Sequence, residues 1–287
     1  MGANATGPEF LVLGARGQLA QAFLQHLGRR AAGLDRLGLD LADRAAIEPA
    51  LRRLKPRAVL NCAAFNHVDQ AERQRARALS ANAIGPARLA EAAGRLGIQL
   101  VHFSTDYVFG GDHSTRARTE RDPPAPVNFY GYSKLLGEEA VLASCARALV
   151  VRVAHLYGGR SLSPGRANLV ERFLEQARAG QPIRVTRGQM LNPTSVHDVV
   201  PACLRLLDEG ECGLFHLTGE GCCRAEEFAG AVLELAGTAG RIEVVEREAR
   251  PARRAAMTVL ENERWNNLGP TRLPWWRDSL ARYISGL

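Results

Sequence analysis

Phe10-Leu11-Val12-Leu13-Gly14-Ala15-Arg16-Gly17-Gln18-Leu19-Ala20 decides the fold. Four apolar residues, enough for a buried strand, run straight into a glycine turn, and beyond it Leu19, Ala22, Phe23 and Leu27 recur at helical spacing. In that order the glycines have a physical job. Gly14 permits a tight turn, Gly17 lets backbone N–H groups approach a pyrophosphate, and the helix N-terminus favours negative charge. Ala20, at the third small position, lets the helix pack close to a sheet. On this motif alone, a plain strand-to-helix turn explains the residues as well as a nucleotide does.

Working outward, strand and helix alternate for about 150 residues. A weakly marked strand at 31–34 leads to Asp35, placed about where an acid meets an adenosine ribose. Asp35 alone points to NADH, whereas Arg16 or Arg36 would pair with a ribose 2′-phosphate and point to NADPH. Asp40-Leu41-Ala42-Asp43 caps a helix running to 54, and 58–64 reads as a buried strand ending in small residues that leave room for a flat ligand. A helix at 82–96, stopped by Gly97, precedes a strand at 98–103 that delivers Ser104-Thr105-Asp106 at its carboxyl end, where an open parallel sheet holds its ligands. Pro123, Pro124 and Pro126 then fix the start of a helix carrying Tyr130-Gly131-Tyr132-Ser133-Lys134.

After a strand at 148–153 the rhythm breaks. A loop at 161–167, a helix at 169–179, short strands at 183–186 and 214–217, helices after Asn192-Pro193-Thr194 and at 225–235, and a last helix after Pro274-Trp275-Trp276 complete the chain. The pattern predicts an α/β protein: a Rossmann-like doubly wound parallel sheet over 10–158 with a return segment near 190–218. A smaller C-terminal substrate-binding lobe is expected from 159–189 and 219–287.

Composition narrows the function. Hydrophobic residues at 46% and charged residues at 23% are ordinary for a globular protein, and no apolar run is long enough to span a membrane. Met1 to Glu9 lacks the cationic start and apolar core of a signal peptide, so a cytoplasmic location is expected. The six cysteines form no CxxC pair and the histidines no ligand helix, which reads as buried free thiols and no metal site. The net charge of +7 suits an anionic ligand, yet the arginines are spread along the chain rather than bunched with aromatics. That is a basic surface more than a nucleic-acid footprint.

Tyr130 and Lys134, four apart on one helix, lie on the same face one turn apart, so the ammonium is expected to reach the phenol. On spacing alone the plainer reading, an exposed lysine beside a core tyrosine, is the stronger. Composition argues the other way: the chain has only two lysines, Lys55 and Lys134, and its remaining cations are arginine. A compact ammonium can sit beside a phenol and bias its proton, which a guanidinium does less well.

Gly14-x-x-Gly17-Gln18, Asn61-x-Ala63-Ala64, Ser104-Thr105-Asp106-Tyr107-Val108-Phe109 and Tyr130-x-x-x-Lys134, in this order, resemble the extended short-chain dehydrogenase/reductase family, and within it the dTDP-4-dehydrorhamnose reductases. Val68-Asp69-x-Ala71-Glu72, Asn192-Pro193-Thr194, Val259-Leu260-Glu261-Asn262 and Pro274-Trp275-Trp276-Arg277 extend the resemblance over nearly the whole chain. It implies NAD(P)H-dependent reduction of a 4-keto nucleotide sugar, with NADPH or NADH as cofactor and Thr105, Tyr130 and Lys134 as catalytic residues. Tyr130 would give a proton to the oxygen as hydride arrives at carbon, Lys134 would lower the phenol's pKa and hold the nicotinamide ribose, and Thr105 would hydrogen-bond the carbonyl.

The cofactor would also meet Gly14, Arg16, Gly17, Gln18 and Leu19 in the first turn, Asp35, Arg36, Asp40 and Leu41 after the second strand, and Ala63 and Ala64 after the third. The sugar nucleotide would meet Val68, Asp106, His155, Asn168 and Arg250. The family also holds a non-catalytic dinucleotide-binding regulatory subunit, and the superfamily nucleotide-sugar epimerases and dehydratases; the resemblance allows a homodimer. Departures fall in the sugar-binding half. The reductases' usual tryptophan is His155 in Val153-Ala154-His155-Leu156-Tyr157-Gly158, an acid and a glycine are lost in Gly188-Gln189-Met190-Leu191-Asn192-Pro193-Thr194, and the Arg-Arg-Pro order changes around Arg250, Pro251, Arg253 and Arg254.

Overall fold

Four apolar runs form the centre of the protein because both of their faces are covered. The computed structural model describes residues 7–112, 114–163, 167–247 and 249–287, so part of the expected N-terminal tail and residues 164–166 of the expected loop lie outside the described residues. Strands β1 (Phe10–Leu13), β3 (Ala58–Asn61), β4 (Gln99–Thr105) and β5 (Ala148–Val153) are buried throughout. Parallel strands sandwiched by helices read as continuous apolar runs rather than alternating ones, which is why they were visible in the sequence. The poorly marked strand β2 (Ala31–Leu34) is half-covered at one edge.

All pairings in this six-stranded sheet are parallel, and the returning strand Gly213–His216 lies beside β5 at the opposite edge. Spatial order reverses between β1 and β3, with β2 beyond β1. That reversal opens a crevice outside the carboxyl ends of the two strands. Helix α1 (Gln18–Leu27) packs on one face of the sheet through Leu19, Ala20 and Phe23, and α2 (Arg44–Leu54) on the other through Ile47 and Leu51. Asp43 caps α2 by accepting from the Ala45 N–H.

Two stretches differ from expectation. The third strand stops at Asn61 rather than at 64, because the Asn61 side chain accepts the Ala63 N–H and turns the chain out of the sheet. The helical region expected from 82 begins earlier, with α3 (Val68–Arg73), α4 (Arg75–Leu79), a π-turn at Ser80–Ile84 and α5 (Gly85–Leu96). The π-turn accommodates Asn82, whose buried amide holds both the N–H and the carbonyl of Phe65 and donates to Ser133 Oγ. Helix α6 (Phe129–Ser144) starts where the prolines end, with Asn128 accepting from the Gly131 N–H.

A further core forms around Tyr157, Phe173, Phe228 and Trp276, fed by α7 (Leu169–Arg178), the helix Ala225–Leu235 and the helix Trp276–Ser285. The helix Val196–Asp208 instead joins α1 on the sheet. All six cysteines are free; Cys145, Cys203 and Cys223 are buried, while Cys62, Cys212 and Cys222 are partly exposed. Among the described residues no helix is long and apolar enough to cross a membrane.

Candidate active site

The switch point between β1 and β3 opens into a cleft of about 600 Å³ lined by Gly14, Arg16, Gly17, Gln18, Asp35, Arg36, Asp40, Leu41, Ala63 and Ala64. Gly14 has φ +72°, and a Cβ there would lie 2.7 Å from the Ala63 nitrogen, so the two strand ends approach only because glycine stands in the turn. Gly17 caps α1 without a side chain, leaving first-turn N–H groups facing the cleft. Gln18 donates to the Leu156 carbonyl while its Oε1 is buried without a partner. An orphaned acceptor, free helix N–H groups and a backbone cradle fit the pyrophosphate and amide groups of a dinucleotide. Leu19 puts its side chain in the core and offers the cleft at most its backbone.

At the outer lip, Asp35 accepts from the N–H groups of Leu37 and Gly38, so its carboxylate shapes its own turn. Arg36 pairs with Asp40 at 2.9 Å. The Ala42 N–H and then Arg36 hold the Asp40 carboxyl below its usual range. Arg16 reaches the Leu162 carbonyl. Both guanidiniums therefore stand on the cleft wall beside Asp35.

At the carboxyl end of β4, Thr105 donates to Asp106 Oδ1 at 3.1 Å and accepts from the Tyr107 N–H. The Tyr130 hydroxyl lies beside the Thr105 side chain, and its ring packs edge-on against Tyr107 at 5.6 Å. Gly131 makes this approach possible, because any Cβ there would collide with the Tyr107 carbonyl. Burial pushes the Tyr130 phenol well above its ordinary range, and the neighbouring Thr105 hydroxyl pulls it back in part. Asp106 is buried, its second oxygen accepting from Thr258 Oγ1 at 2.5 Å.

Lys134 departs from the expected geometry. Its ammonium does not bond Tyr130. It donates to the Phe103 carbonyl at 2.6 Å and lies 3.4 Å from His102 Nε2. A cation that is 2% exposed needs an acceptor, and the β4 backbone supplies one directly beneath α6. Burial lowers its pKa to about 8, against the pull of Glu138 and Cys62. Glu138 forms a bidentate, fully buried pair with Arg152.

A second cleft of about 1160 Å³ is lined by Tyr107, His155 and a group of arginines that includes Arg172, Arg184, Arg187, Arg247, Arg250 and Arg253. Arg184 pairs with Glu243, Arg187 with Glu246, and Arg254, also on this cleft, with Asp69. Arg172, Arg250 and Arg253 form no ion pair among the described residues. Arg172 loses basicity to burial and then to the like charge of Arg250, so these two guanidiniums share one space. The sequence points to the arginines of the stretch from Arg250 to Arg254 as diphosphate contacts. Arg172, Arg184 and Arg187 lie far from it in sequence, and the composition's excess of arginine was the one signal pointing to them.

His155 lines the second cleft with φ +43°, a left-handed conformation unusual for a side-chain-bearing residue. Its Nδ1 accepts from the Asn192 N–H at 3.4 Å, and burial lowers its pKa against the field of Asp106. Asn168 lies elsewhere: it lines the smaller cleft, caps α7 in a capping box with Glu171 and donates to the Tyr283 hydroxyl. Val68 opens α3 and lines neither cleft; its neighbour Asp69 reaches the far side through Arg254. Leu169 lines both clefts. Among the described residues no group of three or more His, Cys, Asp or Glu side chains is arranged to hold a metal ion.

Known proteins are similar to this chain over nearly its whole length. The dTDP-4-dehydrorhamnose reductase of Mycobacterium tuberculosis is 38% identical over 290 residues, 96% of this chain and 92% of that protein. The solved dTDP-4-dehydrorhamnose reductase of Clostridium acetobutylicum matches with a TM-score of 0.89 at 33% identity, covering 96% of this chain and 98% of the other. That of Bacillus anthracis, solved in complex with NADP, matches with a TM-score of 0.92 at 28% identity, covering 98% of this chain and all of the other. With residues 9–287 matching the RmlD substrate binding domain, the chain belongs to that family.

Proposed function

We propose that this protein reduces a 4-keto nucleotide sugar with NADPH or NADH, the best single substrate being dTDP-4-dehydro-L-rhamnose and its product dTDP-L-rhamnose. One observation carries the reading: the Tyr130–Lys134 turn, which lines neither cleft itself, has a neighbour on each. Tyr107, packed on Tyr130, lines the arginine-rich cleft, and Cys62, which senses the charge of Lys134, lines the dinucleotide cleft.

A nicotinamide cofactor held in the smaller cleft by the Gly14–Gln18 turn would supply the hydride. The chain's own residues manage the charge that follows. As the ketone oxygen becomes an alkoxide, Tyr130 gives it a proton, and Thr105, beside the phenol, holds that oxygen's neighbourhood in place. Lys134, once protonated, favours the phenolate left behind. Asp106 fixes the Thr105 hydroxyl by accepting from it. In the larger cleft, Arg250 with Arg172 would hold the diphosphate through charge-assisted hydrogen bonds, and His155 would meet the sugar. Arg16 and Arg36 favour NADPH over NADH.

The test is turnover. Purified protein given NADPH and dTDP-4-dehydro-L-rhamnose should consume absorbance at 340 nm and yield the 4-hydroxy sugar. Binding of NADPH without oxidation across a panel of 4-keto nucleotide sugars would sink the enzyme reading in favour of a regulatory subunit.

A further inference from the structure

Strand β4 buries a histidine directly under the reaction centre. His102 is fully buried between Val101 and Phe103, a place where the rest of the strand's interior is mostly apolar. Its hydrogen bonds fix which ring nitrogen carries the proton. Asn61 Oδ1 accepts from the Ala63 N–H at 3.2 Å, so the Asn61 atom facing the imidazole is the donor Nδ2, 3.0 Å from His102 Nδ1. An amide donor requires an acceptor, so Nδ1 is bare and the proton of the neutral ring sits on Nε2. Burial, and then the charge of Lys134, keep the ring neutral. Nε2 lies 3.4 Å from Lys134 Nζ. An N–H cannot accept from an ammonium, but it can donate to the lone pair of a free amine.

We propose that His102 is a positioning residue for Lys134: locked by Asn61 into the Nε2–H tautomer, it aims that N–H at Nζ and favours the free amine, so the Asn61–His102 pair sets how the catalytic lysine titrates. The inference rests on the role given to Lys134 above. Every group facing Nζ enters the balance. From α6 itself comes Glu138, from just past the end of β3 Cys62, from β4 the Phe103 carbonyl and His102, and from β5 Arg152 behind Glu138. Glu138 and the Phe103 carbonyl favour the ammonium, while burial and the His102 N–H oppose it. The same chain reaches the cofactor side, since the Asn61 amide that orients His102 also holds Ala63 on the dinucleotide cleft.

The chain's two lysines make the test direct. Protein labelled with 13C,15N-lysine gives two side-chain signals, and Lys55→Arg leaves only that of Lys134. Its pH midpoint is then read in the otherwise native protein and in His102→Phe, which keeps a ring of similar size without the N–H. His102→Leu serves the same purpose if the phenylalanine variant does not fold. Loss of the N–H should raise the protonation constant of Lys134 about tenfold, the order of one hydrogen bond to an ionisable partner. The alkaline limb of kcat/KM should move to higher pH with it. An unchanged or lowered midpoint overturns the inference. Because the midpoint is read without substrate, the proposed function can fail separately: a raised midpoint in a protein that reduces no 4-keto sugar leaves the His102 assignment standing.

Discussion

Replacing Glu138 by glutamine tests how the fold supports the reaction centre. Glu138 accepts two hydrogen bonds from Arg152, at 2.9 and 2.7 Å, and both side chains are 3% exposed. The amide keeps the shape but cancels the charge, and it turns one of the two contacts into a donor facing a donor. Arg152 then keeps one bond to the amide oxygen, the Phe109 ring 4.9 Å from its guanidinium carbon, and His216 Nε2 at 3.4 Å, with no counter-charge among them. Removing one partner of a buried pair costs about 3–5 kcal/mol, because the other charge stays buried and uncompensated. Against a typical total of about 5–15 kcal/mol, that is a large loss. Urea unfolding followed by tryptophan fluorescence should show a much lower midpoint at an unchanged slope. Glu138→Leu combined with Arg152→Met should recover most of it, since a well-packed apolar pair carries no desolvation penalty. Glu138 also favours the Lys134 ammonium, so the glutamine variant should shift the alkaline limb of the rate to lower pH. A single-variant cost under about 1 kcal/mol, the range for an exposed pair, would refute the reasoning.

Tyr130→Phe should lower kcat by about 10²–10⁴-fold while NADPH binding, followed by fluorescence titration, stays near wild type; full activity would remove the phenol from the mechanism. Gly14→Ala should weaken NADPH binding and lower the melting temperature together, because the added Cβ meets the Ala63 nitrogen at 2.7 Å in a left-handed turn. Arg250→Met should raise KM for the nucleotide sugar by about 10–100-fold with kcat little changed, as loss of a charge-assisted bond to a diphosphate implies; a fall in kcat alone would place Arg250 elsewhere in the cycle. Lys134, with its pKa lowered to about 8, should make kcat/KM fall as pH rises through that value. Stability runs the opposite way. The folded protein gives up this proton before the unfolded chain does, so the group contributes increasing stability from about pH 8 towards its ordinary value of 10.5. The difference in unfolding free energy between wild type and Lys134→Met, measured across that window, gives the sign.

What the sequence revealed, and what it hid, follows from the range of the forces involved. Strands β1, β3, β4 and β5 were legible because burial on two faces demands unbroken apolar runs, a property each strand carries by itself. Helices α3 and α4 were not, since Val68–Arg73 and Arg75–Leu79 are short and arginine-rich and are held by neighbours more than by their own periodicity. Asn168 carries a local signal as well: Asn168-Leu169-Val170-Glu171 is a capping-box spacing, and its side chain caps α7 in the structure. Lys134 is the converse. Spacing placed it one turn from Tyr130, but where its ammonium points was decided by a carbonyl on β4 some thirty residues away in the chain, and by a histidine whose tautomer depends on Asn61, farther still. Periodicity along one helix says which face a side chain occupies. It carries no information about the acceptor waiting on the strand below, so the chemistry of the pair could be named from sequence while its electrostatic tuning could not.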